Sequence, residues 1–433
     1  MQRERWSSRL GFFLAAVGSA VGLGNMWRFS YLTAENGGGA FVLLYVLFVF
    51  LVGLPVLLAE LAIGRGTRRS PVGALAELGG SAWPALGGLF VLSGFLILAY
   101  YSVIAGWTLR YVFDLATSGL PADAGAYFDG IVDGGRAVGW HLGFMLLTVA
   151  TVLGGVRRGI ERLALVLMPA LFVMLAGLAA YAATLDGAAE GYRFYLAPDF
   201  AQLGNADVLT AAASQAFFSL SLGMGAMLTY GSYLSDDAPL PRQALSIAGA
   251  DFGVALVAGL AVFPMIFAFG LSDQIGGSAV GALFVTLPRA FEEMGAVVGT
   301  AVGLLFFVAL AIAALTSAIS LLEVVVATSM DALGWPRRGA TLAAGGLIAA
   351  VGILPALSVD SLSLMDRLAG ELFLVFGGLL LAVFAGWFAR SPREAGEREA
   401  PGELWRGSWK WLLRLPVPLV LAYVLVRFAQ NLF

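Results

Sequence analysis

The sequence predicts an all-α integral membrane protein of eleven transmembrane helices, built as a 5+5 inverted repeat with helices 1 and 6 unwound at mid-membrane. Three observations carry this expectation. Of 433 residues, 60% are hydrophobic and 12% are charged, about half the charge share of a soluble domain. Apolar stretches recur along the chain at about 18 residues or more, the length that crosses a roughly 30 Å hydrocarbon core. Glycine-rich interruptions fall inside the first and the sixth of these stretches, five helices apart, as expected if two repeats enclose a site between them.

Hydropathy places the spans at 10–33, 39–64, 87–113, 138–154, 160–184, 207–233, 243–270, 297–330, 339–355, 368–390 and 410–430. Residues 1–390 form the core, with helices 1–5 and 6–10 as its repeats, 391–409 a charged cytoplasmic linker, and 410–433 a peripheral eleventh helix. The first apolar stretch lacks a small-residue cleavage site and reads as a retained helix. Between spans seven and eight, Ser272–Ala296 is apolar enough, around Pro288, to hold short lid-like helices. Basic residues set the orientation. With the N-terminus inside, 18 of the 25 Lys and Arg residues lie in cytoplasmic segments, as the positive-inside rule asks. This puts the chain in the cell inner (plasma) membrane with its C-terminus external.

Composition also excludes. With no cysteine, disulfides, thiolate metal sites and Cys nucleophiles are absent, and a single histidine, His141, supplies no His cluster. Beside Trp140 at a helix start, His141 reads as structural. No basic face argues for nucleic acid. No triad or metal cluster argues for an enzyme, and no cofactor is implied.

The interruptions read Gly18-Ser19-Ala20-Val21-Gly22-Leu23-Gly24-Asn25 and Ser219-Leu220-Ser221-Leu222-Gly223-Met224-Gly225. A backbone that leaves the helix in hydrocarbon must have its carbonyls and amides satisfied by something other than lipid, such as cations and anionic groups. Polar residues gather near the breaks: Asn25, Asp251 in span seven, and the pair Thr316-Ser317 in span eight. A buried carboxylate is a functional candidate by default, and oxygen ligands suit a hard cation, with sodium, potassium and protons all open on this chemistry. Glu60 in span two reads equally as an interfacial carboxylate or as an acceptor for freed amides.

At these residues the chain resembles the neurotransmitter:sodium symporter family, in its bacterial eleven-helix amino-acid branch with the leucine-transporter-type fold. The resemblance rests on Arg9–Phe29 (RLGFFLAAVGSAVGLGNMWRF) with ENGGGAF from Glu35, on QAFFSLSLGMG from Gln215, and on LTSA from Leu315. It implies sodium-coupled uptake of an amino acid, with two sodium ions, the amino acid and the lipid bilayer as partners. The resemblance implies a first sodium site at the Ala20 carbonyl, Asn25, Ser219 and Asp251, and a second at carbonyls of Gly18, Val21 and Ala313 with the hydroxyls of Thr316 and Ser317. Chloride-dependent animal members place a chloride beside the first sodium; Asp251 offers a fixed negative charge instead, which implies chloride independence.

The substrate site follows by the same matching. Tyr101 and the amides near Leu23 and Gly24 would hold the substrate carboxylate, and Ala20 and Ser219 adjoin them. Gly22 stands where amine carriers place an aspartate, so the substrate brings its own carboxylate. Ile97, Phe218, Ser221, Met224, Ser317 and Leu321 would surround a bulky hydrophobic or aromatic side chain, with Met224 as a pliable wall. Arg28 and Asp366 resemble an external ion pair over the pocket, and Arg3, Trp6, Tyr233 and Asp331 a cytoplasmic latch. Gly159 and Pro169 mark a segment of span five that related carriers unwind. The alternative is an amino-acid-binding membrane sensor or a channel-like protein on the same fold.

Overall fold

The computed structural model describes residues 4–132, 134–272, 282–389 and 403–432. Arg3 and most of the charged linker lie outside them. Among the described residues, nine helices are long and apolar enough to cross a membrane, or ten if Arg9–Ala20 and Gly24–Glu35, bent by 50°, make one span. This differs from the eleven expected because the sixth span is in two pieces. Ala206–Ser219 and Ala226–Gly231 flank a non-helical stretch, and neither piece alone is long enough to cross.

Both breaks fall where the glycine runs predict them. In the first, Val21 turns extended at ψ 106° while its N–H still reaches the Val17 carbonyl. In the second, Ser221, Gly223 and Gly225 all adopt positive φ, at 54°, 75° and 74°. Glycine is needed at Gly223 on space as well, since a Cβ there would lie 2.3 Å from the Leu374 carbonyl oxygen.

Around the breaks the helices bury unevenly. The apolar window of Pro84–Ser118 is 67% buried within the protein and that of Ser408–Gln430 only 22%, so the former is central and the latter peripheral. Small residues set the closest approaches, as in membrane bundles generally. A Cβ on Gly64 would sit 1.9 Å from the Leu228 carbonyl oxygen, so the helix through Leu54–Thr67 presses directly on the second half of span six. His141, fully buried, joins three helices through Ser102 Oγ and the Ala349 carbonyl, each at 2.9 Å. Its role is structural.

The two largest boundary shifts come toward the C-terminal end. The tenth span begins at Val359 instead of 368, and Glu403–Arg414 is helical, taking in the end of the expected linker before Pro416–Leu432. In the fifth span, Val156–Glu161 is a wide π-type turn and Pro169 lies inside the helix Arg162–Ala182.

Candidate functional site

Three oxygen-rich groups and one cavity converge between the two breaks. The first group centres on Asp251, fully buried on the helix Leu240–Ala268. Asn25 Nδ2 donates to Asp251 Oδ1 at 2.7 Å and to Ser219 Oγ at 3.0 Å, while Ser219 Oγ donates to Asp251 Oδ2 at 2.7 Å. Tyr45 OH joins at 2.9 Å from Ser219 Oγ and 3.3 Å from Asp251 Oδ2. Asn25 Oδ1 accepts from the Gly22 amide at 3.0 Å, which ties the break to the carboxylate. Sequence reasoning brought Asn25, Ser219 and Asp251 together and missed Tyr45, an aromatic in an apolar span with nothing local to mark it.

The second group is made by backbone. Ser317 Oγ lies 3.2 Å from the Gly18 carbonyl oxygen, 3.1 Å from that of Ser19 and 3.2 Å from that of Val21. One hydroxyl carries one proton, so three carbonyl oxygens converge with less than their complement of donors, a concentration of negative potential that favours a hard cation. Thr316 faces Gly18, whose Cβ would lie 3.1 Å from Thr316 Cβ, and its hydroxyl bonds the Ala313 carbonyl at 3.1 Å. Ser19 is an addition to the expected set; its carbonyl also accepts from Ser221 Oγ at 2.8 Å.

The third group settles Glu60. It is fully buried and accepts from the Gly223 amide at 2.9 Å and the Leu228 amide at 3.2 Å. The carboxylate therefore serves freed amides of the sixth span, not an interface.

Between these groups lies a cavity of about 20 Å³, room for about one water by volume. Ala20, Gly22, Gly24, Ile97, Tyr101, Phe218, Ser221, Met224, Ser317 and Leu321 line it, with Ser19. Leu23 and Ser219 of the expected set stand behind the wall: the Leu23 amide donates to Tyr101 OH at 3.0 Å, and Ser219 faces Asp251. Gly22 admits no side chain here, since a Cβ would lie 2.4 Å from Ser317 Oγ and 2.7 Å from Tyr101 OH.

Above the cavity opens a vestibule of about 500 Å³ that includes Arg28, Asp366 and Glu371 in its lining. Here the expected ion pair is corrected. Arg28, only 5% exposed, pairs with Glu371 at 3.0 Å, donates to Gln215 Oε1 at 3.1 Å, and lies 4.9 Å over the Phe218 ring. Asp366 instead accepts from Tyr100 OH at 2.8 Å. The reason is helical register: Asp366–Phe373 is a π-helix, in which residues five apart share a face, so Glu371 stands where an α-helical reading would not put it. Gln215 and Glu371 were missed; a carboxylate at membrane depth was the available signal.

At the opposite end, Trp6 is buried against Phe12, Tyr230 and Tyr233, and its Nε1 donates to the Tyr230 carbonyl at 3.1 Å. Tyr233 OH donates to Glu323 at 2.5 Å, and Glu323 pairs with Arg337 at 2.8 Å. Asp331, expected in the same latch, accepts from the Ser70 amide at 2.7 Å, capping the helix Pro71–Gly79. Glu161 holds the N-terminal segment, accepting from Ser7 Oγ at 2.6 Å and the Ser7 amide at 2.8 Å. Glu161 and Glu323 were not among the residues expected at this end.

The pattern of the sodium:neurotransmitter symporter family matches residues 3–129 and 125–431. The chain is 38% identical to an uncharacterized sodium-dependent transporter, YhdH, of Bacillus subtilis, across 98% of this chain and 97% of that one. It is 36% identical to an uncharacterized sodium-dependent transporter, MJ1319, of Methanocaldococcus jannaschii, across 100% and 91%. The crystal structure of MhsT in complex with L-phenylalanine superposes with a TM-score of 0.91 at 43% identity, covering 98% of this chain and 99% of that one.

Proposed function

The chain belongs to the sodium:neurotransmitter symporter family, a family of transporters and not enzymes, and from that premise we propose that it is a symporter importing a hydrophobic or aromatic L-amino acid with sodium. The observation that carries this reading is the placement of one cavity against both oxygen groups, with Ser317 belonging to the cavity wall and to the carbonyl cluster together. Asn25, Ser219, Asp251 and the Ala20 carbonyl take one sodium; the Gly18, Val21 and Ala313 carbonyls with Thr316 and Ser317 take the other. Tyr101 and the Leu23 amide orient the substrate carboxylate, and Gly22 leaves room for it without adding a charge. The likeness to a protein solved with L-phenylalanine supports an amino-acid substrate.

The path runs by alternating access between the Arg28–Glu371 closure and the Trp6–Tyr233 closure, in eleven spans with the first and sixth broken and spans 1–5 and 6–10 inverted. The N-terminus is cytoplasmic. Two sodium ions moving inward through 100 mV contribute about 4.6 kcal/mol, at ~2.3 kcal/mol per charge. Asp251 supplies the negative charge beside the first ion, so chloride is dispensable.

Uptake of labelled phenylalanine, tryptophan, leucine and tyrosine into proteoliposomes tests this, with sodium outside against potassium and choline. Accumulation that needs sodium and persists in gluconate is the expected result. Binding without accumulation overturns symport in favour of a sensor. Accumulation that needs chloride leaves symport standing and removes the assignment to Asp251.

A further inference from the structure

A second cavity lies away from the transport path, at the vestibule end of the bundle. It occupies about 200 Å³ between the end of the helix Pro84–Ser118, the short helix Ala124–Val132 and the start of the helix Gly135–Leu153. Its lining includes two guanidiniums, Arg110 and Arg136, with Tyr127 and Trp140, and among the described residues no carboxylate. Asp114 stands just behind, 2.5 Å from Arg110 Nε and 2.7 Å from Tyr127 OH. Among the described residues of the lining, two side chains are cationic and none is anionic.

The surroundings fix the depth. The Arg110 guanidinium lies 5.7 Å over the Trp140 ring, and Phe113, 53% exposed, packs on the same ring. Leu142 and Leu146, exposed at 43% and 68%, follow on the same helix as Arg136. Leu142 is about 9 Å along that helix from Arg136, so the guanidiniums sit one headgroup layer beyond the first lipid-facing side chains. Tryptophan and tyrosine at that level are the usual interfacial anchors.

We propose that this cavity binds the phosphodiester headgroup of an anionic phospholipid, with Arg110 and Arg136 on the phosphate oxygens and Trp140 along the glycerol. Guanidinium forks match phosphate oxygens geometrically, which lysine does not. The two guanidiniums of the lining select phosphatidylglycerol over a zwitterionic headgroup, whose ammonium would face them. The exposed apolar faces of Phe113 and Leu142 continue the site toward the acyl chains.

The test is native mass spectrometry of the full chain in detergent, titrated with short-chain phosphatidylglycerol, short-chain phosphatidylcholine, glycerol phosphate and inorganic phosphate. Phosphatidylglycerol should bind best, and Arg136→Gln should weaken it about five- to tenfold, the effect of one basic group near a lipid surface. Arg136 is exposed, so the variant folds; Arg136→Lys should recover part of the loss. Equal binding of phosphatidylcholine, or binding untouched by Arg136→Gln, overturns the proposal. Displacement of the lipid by glycerol phosphate or phosphate at equal concentration overturns the lipid source.

Discussion

Asp366 and Glu371 face the same vestibule, yet it is Glu371 that holds Arg28. The guanidinium is nearly buried, so losing its carboxylate leaves a charge with amide and hydroxyl partners only, Gln215 and Ser214. Breaking a fully buried pair from one side costs about 3–5 kcal/mol; Glu371 is one-third exposed, which brings the expectation to about 1–2 kcal/mol. Glu371→Gln should therefore raise the half-saturating substrate concentration about tenfold, and Asp366→Asn much less. Uptake kinetics on the two variants decide the matter, and a larger loss at Asp366 would return the pairing to it. The sequence showed both carboxylates but not the π-turn that chooses between them. Side-chain identity is printed in a sequence; a local change of helical pitch is not.

At the level of elements, the breaks were legible because clustered glycine and serine at the centre of an apolar span weaken the helix at that point, whereas Glu60 stayed open between two roles. Its role depends on Gly64, four residues on, which lets the Ala226–Gly231 segment approach until its amides reach the carboxylate. Such a long-range approach has no local signature. Hydrogen bonds to a charged group contribute about 1.5–3 kcal/mol each, and a glutamine side chain offers one good acceptor where glutamate has two. Glu60→Gln should lower stability by about 2–3 kcal/mol, seen as a lower melting temperature of the purified protein. The conservative change at exposed Glu77 should leave it within about 0.5 kcal/mol. No shift at Glu60 would mean that the broken sixth span holds its shape without the carboxylate. The early start of span ten was hidden for a similar reason: Asp360, Asp366 and Arg367 depress hydropathy over a stretch that packs as helix.

Across the whole molecule, the proposed symport needs coupling from the ions to the substrate, and Ser317 stands where it can carry it. Its Oγ occupies the centre of the Gly18, Ser19 and Val21 carbonyls and also borders the cavity between the breaks. A cation entering that cluster turns the hydroxyl from donor to ligand and so resets one wall of a cavity of only about 20 Å³. On the proposed reading an amino acid enters this cavity only as Phe218, Met224 and Leu321 draw back. Linkage then requires that sodium tighten substrate and substrate tighten sodium by one common factor, ordinarily about 5- to 150-fold. Equilibrium binding of labelled phenylalanine across a sodium series, and of sodium with and without phenylalanine, should return the same factor in the native chain. Ser317→Ala keeps the helix and removes the shared oxygen, so it should pull both factors toward unity together. Should the variant lose substrate affinity while the factor stays unchanged, Ser317 is part of the wall alone, and the coupling runs through the Asn25–Asp251 group that ties the Gly22 amide to the other ion site.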